Sequence, residues 1–294
     1  MSTFPRGFSI RFFLPDGTSD GMKIVEKSNW IGRAIVCPRS KFADLRERPE
    51  FNKTGVYLLI GQNNPDEPPT AYIGEGDPVG ERLLQHQRLK DFWSSVVSFT
   101  SKDDNLNKAH VQYLESRLVA LAREAKRCNL ENATVPTLPS LSEADRAEME
   151  EFLEHTLQIY PALGVSVFQK PSAIAPAHVH MFQLSGRNFT AQGYEADDGF
   201  VVMHGSMAAK DSSAANESNI FATRKHLIEQ GLLVDDIDHY RLTQDYTFTS
   251  PSLAAAVMLG RAANGRIEWK DIDGHTLKEI QIASAAGTES RMLR

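Results

Sequence analysis

The sequence predicts an α+β chain, with a small antiparallel sheet flanked by helices and then a second, smaller α+β domain. Three observations predict it. Runs of strand character at Gly55–Ile60, Ala71–Gly74 and Ser95–Thr100 supply the sheet, the first two joined by the polar loop 61–70, rich in Asn, Asp and Pro, which turns the chain back. Segments of helical period at Asn105–Arg127 and Glu143–Gln158 supply the flanking helices. The Pro- and Ala-rich stretch 169–180 reads as a linker, and a fresh alternation of strand and helix patterns begins after it.

Taken in order, residues 1–54 form a leader packed on the first module. Phe8–Leu14 alternates as a strand, Pro15-Asp16-Gly17 turns, and Lys23-Ile24-Val25 pairs back as a hairpin. Arg33, Arg39, Lys41, Arg46, Arg48 and Lys53 then make the densest basic stretch of the chain, interrupted by Asp44, Glu47 and Glu50. That stretch reads either as a nucleic-acid backbone contact, through Arg39, Lys41 and Arg46, or as a solvated helix with internal ion pairs.

The first domain spans 55–168. Between Gly55 and Ile60, Val56, Leu58 and Ile60 share one side of a strand and Tyr57 stands on the other. Asp77-Pro78 has the form of a cap followed by a first-turn proline, and the helix it opens carries Arg82 and His86, four residues apart, on one face. In the 105–127 helix the main apolar stripe runs through Leu106, Ala109, Leu114, Leu118 and Leu121. Glu115 lies about 100° round from Leu114, with Val111 and Val119 one turn away on either side. A carboxylate among aliphatic groups needs a cation or a dense set of donors, so Glu115 either holds a salt bridge to Lys108 or Arg117 or belongs to a site. Ser142 caps the acidic helix that buries Phe152, Leu153 and Leu157, and Leu163–Phe168 reads as a closing strand. An acidic helix repels DNA and is expected to face away from a substrate groove.

His178 and His180 bracket Val179 as a metal pair in a strand would, but with no further ligand cluster nearby they read as surface or linker histidines. The second domain, 181–284, is expected to contain strands at Phe182–Ala191, Gly199–His204, Tyr240–Asp245 and Tyr246–Thr249. A mobile polar loop is expected over Ser206–Asn219, a short helix over Ala222–Glu229, and a helix from Ser250-Pro251 to Gly260. Asn264-Gly265 is a tight turn before Ile267–Lys270, and 285–294 is a tail.

Composition bounds the function. A net charge of −6 and a pI near 5.9 argue against a protein that coats nucleic acid non-specifically, though not against a local basic groove. Two cysteines, Cys37 and Cys128, offer neither a disulfide framework nor a zinc pattern, which fits a reducing cytoplasm. No signal peptide, membrane-length apolar run or nucleotide-binding glycine fingerprint is present, so neither a membrane partner nor a nucleotide cofactor is expected.

With Gly55-Val56-Tyr57, Tyr72-Ile73-Gly74, Arg82, His86 and Glu115 in this order, residues 50–135 resemble the GIY-YIG nuclease superfamily. The resemblance implies a metal-dependent endonuclease that hydrolyses phosphodiesters in DNA. In it Glu115 holds one Mg²⁺ (or Mn²⁺) and Arg82 grips the phosphate. Tyr57 is the candidate base, Tyr72 positions water or phosphate, and His86 relays a proton or contacts the phosphate. An unperturbed tyrosine titrates near ~10, so Tyr57 would need Arg82 or the metal beside it. The pattern departs from the family at Val56, where isoleucine is usual, and at Glu75, an acid where a basic side chain is common. The asparagine that follows the glutamate helix in the family is matched by Asn129 or Asn132, with Asn132 preferred.

The run from Phe248 through Asn264-Gly265 to Trp269 resembles RAMA-type domains of restriction enzymes and DNA methylases, and a related uncharacterised domain found after GIY-YIG modules. It implies DNA binding, with Ser250, Ser252, Arg261, Asn264 and Trp269 as a polar and aromatic patch, though Trp269 in a strand is more often core. Together the resemblances imply a nuclease of restriction or defence whose second domain aids target recognition. The alternative is a non-catalytic DNA-binding or modified-base-reading protein on a degenerate nuclease fold, and a scaffold with neither activity is a third reading. The oligomeric state stays open.

Overall fold

The computed structural model describes residues 7–62, 64, 67–170, 179–210 and 218–292. The chain is mixed α+β and divides into two compact units, parting between Gln169 and Lys170.

The first unit is built on a seven-stranded sheet of order β1-β2-β3-β6-β4-β5-β7. Its strands are β1 (Ile10–Phe13), β2 (Lys23–Lys27), β3 (Gly32–Pro38), β4 (Gly55–Gly61), β5 (Thr70–Gly76), β6 (Ser95–Ser101) and β7 (Asn129–Leu130). The leader is therefore part of the sheet itself. β3, whose Arg33 opens the basic stretch, pairs with β6 over its whole length, Gly32 opposite Ser101 and Pro38 opposite Ser95. All pairings are antiparallel except the short β5–β7 contact at Thr70–Asn129 and Ala71–Leu130.

Helices cover both faces of this sheet. α1 (Phe42–Arg46) and α2 (Val79–Leu89) pack Phe42, Leu45, Val79 and Leu83 against Ile35, Tyr57, Leu59 and Val96. On the opposite face α3 (Lys108–Ala125) and α4 (Glu143–Ala162) pack Val111, Leu114, Leu118, Phe152 and Leu153 against Val56, Leu58, Ile73 and Phe99. β4 is buried on both sides, so its alternation sorts residues between two cores rather than between core and water.

The helix ends differ in detail from expectation. The cap of α2 is Pro78 itself; Asp77 instead accepts a hydrogen bond from Thr54 Oγ1 at 2.6 Å. Asn107 caps α3 by accepting from the His110 N–H, and Ser142 caps α4 by accepting from the Asp145 N–H. Leu163–Phe168 is not a strand: it turns at Gly164, φ +74°, and drops Val165, Val167 and Phe168 into the core without joining a ladder.

The second unit has a four-stranded sheet, β14-β10-β9-β8, and a three-stranded sheet, β11-β13-β12. Its strands are β8 (Met181–Gly186), β9 (Phe189–Ala196), β10 (Gly199–Val202), β11 (Met207–Ala209), β12 (Leu233–Asp236), β13 (His239–Leu242) and β14 (Tyr246–Phe248). The expected single strand Phe182–Ala191 is a hairpin, turned at Arg187 and at Asn188, whose φ is +68°. β11 lies inside the expected loop Ser206–Asn219, much of whose remainder is outside the described residues. Helices α5 (Ser218–Glu229), α6 (Pro251–Leu259), α7 (Gly265–Glu268) and α8 (Leu277–Met292) complete the unit, and α8 runs on through the expected tail. No helix among the described residues is long and apolar enough to cross a membrane.

Candidate active site

The candidate site forms where β5 loses its neighbour. β7 pairs only with Thr70 and Ala71, and the Asn132 side chain closes the next position, accepting from the Ile73 N–H at 2.9 Å and donating to the Ile73 carbonyl at 2.8 Å. Beyond Ile73 no strand covers β5 on that side. α2 on one face and α3 on the other both pack on β5, and Arg82 of the first acts electrostatically on Glu115 of the second.

Tyr57 and Gly74 are direct cross-strand partners. A Cβ at position 74 would stand 2.3 Å from the Tyr57 hydroxyl oxygen, so a glycine there lets the phenol lie across β5. Gly74→Ala is expected to push the phenol aside and cost about 1–3 kcal/mol, read as a fall in denaturation midpoint. The Tyr57, Tyr72 and His86 rings form one cluster, with centroids 6.4 Å apart for the tyrosines, 5.9 Å for Tyr57–His86 and 4.7 Å for Tyr72–His86. Tyr57 is fully buried, and among the described residues its hydroxyl has no hydrogen-bond partner, nor do the two ring nitrogens of His86, 8% exposed. Lys90 stands over the Tyr72 ring at 4.5 Å.

Arg82 and Glu115 are the charged members. Arg82 is exposed, and the hydrogen bond described for its side chain goes to the Gln85 amide oxygen at 3.1 Å, leaving the guanidinium without a carboxylate partner among the described residues. Glu115 is half-buried and likewise has no ion pair or hydrogen bond there. The expected bridges to Lys108 or Arg117 do not form, because Lys108 binds both carboxylate oxygens of Glu75 at 2.7 and 2.8 Å, and Arg117 binds Glu150 on α4. Thus the acid that departs from the family pattern, Glu75, is held by a lysine from the start of α3. Lys108 is the one participant that sequence reading assigned elsewhere, and a separation of 33 residues from Glu75 leaves no local signal of the pair.

These environments set protonation. Burial, with the Glu75 carboxylate adding to it, pushes Glu115 up to about 7 against the opposing pull of Arg82 and Lys108. Burial, then the cations Arg82 and Lys90, push His86 down to about 4, so its imidazole is neutral at pH 7. Burial and the neighbouring Tyr72 drive Tyr57 well above the ordinary phenol range, and burial raises Tyr72 as well. Arg82 pulls the Tyr57 phenol down, but desolvation in the closed core outweighs it, so in the metal-free protein the group is a hydroxyl at neutral pH. His86 is the member already in its base form. A single uncommitted, partly buried carboxylate suits Mg²⁺, which keeps most of its waters and takes few protein ligands.

Most of the other sequence candidates are used structurally. Arg39 stacks on Trp93 at 4.7 Å and donates to the Gln87 and Trp93 carbonyls and to Asp91. Arg33, Arg48 and Lys53 pair with Glu26, Glu50 and Asp104, so the basic stretch is largely neutralised; Lys41 and Arg46 remain exposed. The Asn132 amide is taken up by Ile73, where it finishes the sheet rather than meeting solvent.

In the second unit the expected patch is a knot of internal bonds. Ser250 caps α6 by accepting from the Leu253 N–H, Asn264 caps α7 by accepting from the Arg266 N–H, and Ser252 accepts from the Gly265 N–H. Arg261 pairs with Glu268, and Trp269, fully buried, donates its indole N–H to the Pro251 carbonyl at 3.0 Å. Of the histidine pair, His178 lies outside the described residues, while His180 meets Asp271 at 3.2 Å. Asp271, Asp273 and His275 converge there, but the Asp271 carboxylate is already occupied by the Asp273 and His275 backbone N–H groups in a turn.

Residues 182–281 match the family model described as "Domain of unknown function (DUF4357)". No curated protein and no solved structure matches the chain.

Proposed function

We propose that this protein is a metal-dependent DNA endonuclease of GIY-YIG type, its active site formed by Tyr57, Tyr72, Arg82, His86 and Glu115, with DNA as its partner and Mg²⁺ or Mn²⁺ as its cofactor. One observation carries the reading: a half-buried carboxylate and a guanidinium, neither with an ion-pair partner among the described residues, act electrostatically on a cluster of buried hydroxyl and imidazole groups without hydrogen-bond partners there. Stability alone gives no reason to leave such groups uncompensated, whereas a phosphodiester substrate with a divalent ion satisfies them together. Glu75 favours a degenerate, non-catalytic fold, but Lys108 binds both of its carboxylate oxygens and offsets part of its charge.

Glu115 would hold the ion, which when bound supplies Lewis-acid charge to the phosphoryl group and a more acidic water. Arg82 forks onto the phosphoryl oxygens and stabilises the charge that grows there. His86, neutral at pH 7, accepts a proton from the attacking water, and Tyr57 donates its hydroxyl hydrogen bond to orient the reacting groups. Tyr72 closes the cluster and, half-exposed, meets the strand. The second domain would aid target choice in restriction or defence.

The deciding assay offers supercoiled, linear and branched DNA with Mg²⁺ or Mn²⁺. Nicking that requires the metal supports the reading; a protein that binds these DNAs and leaves every phosphodiester intact with either metal sinks it.

A further inference from the structure

We propose that the second unit carries its own phosphate-binding cleft, shaped for the phosphate of a nucleotide, between the β8–β9 turn and the β12–β13 turn. The cavity holds about 460 Å³, within the ~300–1,000 Å³ usual for ligand clefts. Its wall gathers Arg187, Lys210 and Arg261 with His239 against one carboxylate, Asp238, in a chain whose net charge is −6. Arg187 is exposed at the tip of the hairpin, and no hydrogen bond or ion pair to its side chain occurs among the described residues. Lys210 and Arg261 are ion-paired with Asp235 and Glu268, neither of which lines the cleft, so Arg187 is the cation of the wall with no ion pair among the described residues.

A second feature points the same way. Arg224, 5% exposed, donates to the carbonyls of Val257 and Ala209, and Ala209 is itself part of the cleft wall. Burial lowers the Arg224 pKa, which is the cost of a buried cation, yet a guanidinium stays charged at pH 7 and sets positive potential behind the wall. The wall also carries the half-exposed His239 ring, which meets the buried Phe189 ring edge-on at 5.4 Å. The Arg187 fork suits phosphate oxygens and the half-exposed His239 ring can stack on a base, so a nucleotide fits better than a bare carboxylate.

The phosphate can come from a free nucleotide or from a DNA strand, and the test separates them. Binding of inorganic phosphate, a deoxynucleoside monophosphate and a short 5′-phosphorylated single-stranded DNA is measured calorimetrically on the full chain without divalent metal. Wild type is compared with Arg187→Glu and with Lys225→Glu, which makes the same charge change on an exposed α5 lysine outside the cleft. Arg187→Glu is expected to weaken the monophosphate by about ten- to hundredfold, and Lys225→Glu to leave it unchanged. An equal loss with the oligonucleotide assigns the cleft to the strand; an oligonucleotide unaffected by Arg187→Glu assigns it to the free nucleotide. Absence of phosphate or nucleotide binding, or equal losses in both variants, overturns the proposal. Because metal is left out, failure of cleavage at Glu115 has no bearing on this result.

Discussion

Glu115→Gln is expected to abolish metal-dependent DNA cleavage while raising, not lowering, the melting temperature of the metal-free protein at pH 8. The first half follows from removing the carboxylate that would hold the ion. The second follows from the environment. Glu115 lies between Val111 and Val119, both fully buried, has no cation partner among the described residues, and is pushed up to about 7 by burial and then by Glu75. In the unfolded chain the group titrates near its ordinary 4.5. Below that value both states are protonated and Glu115 costs nothing. Between 4.5 and about 7 the unfolded state ionises while the folded state holds its proton, so stability falls with rising pH. Above 7 the full cost of a desolvated charge is present.

The gain from Glu115→Gln should therefore be large at pH 8 and vanish near pH 4, as read by thermal melts at the two pH values. Mg²⁺ should raise the wild-type melting temperature, by about 2.7 kcal/mol equivalent at a hundredfold excess over Kd, and leave the Gln variant unmoved. A structural ion-pair residue would behave oppositely, with the Gln variant less stable at pH 8 and metal without effect on either protein.

Arg82→Ala is expected to lower kcat by roughly 10²–10³-fold, about 2.7–4 kcal/mol of transition-state stabilisation, with little change in stability. Its side chain is exposed and is described bonding only to Gln85, so the fold draws little from it. The phosphoryl charge, by contrast, is greatest in the transition state, and a preorganised guanidinium meets it there. Arg82→Lys should recover only part of the rate, because a point charge does not span two phosphoryl oxygens. Single-turnover cleavage with DNA binding measured in parallel checks this. Unchanged kcat with weakened binding would reduce Arg82 to a strand contact and remove it from the reacting group.

The sequence by itself determined the mixed α+β class, the strands around Tyr57 and Tyr72, the placement of Arg82 and His86 on one helix face, and the position of Glu115 between two valines. Each rests on a period of two or 3.6 residues, and such periods are local. Only tertiary structure decided which charges are already spent. Lys108 could have served Glu115 from seven residues away on its own helix, yet it serves Glu75 across the sheet edge. Arg39 reads as a free cation and lies stacked on Trp93. Ser250 and Asn264 read as part of a surface patch and instead cap α6 and α7, while Ser252 and Trp269 tie the two helices together. β3 was hidden because its Arg33 looked like the head of a basic run, whereas in the sheet that guanidinium is neutralised by Glu26 and Glu50. Partner choice of this kind depends on contacts between residues distant in the chain, and no repeat within a sequence window encodes it. The cleft lined by Arg187, Lys210 and Arg261 was invisible for the same reason, since three turns and strands far apart in sequence must fold before their cations share one wall.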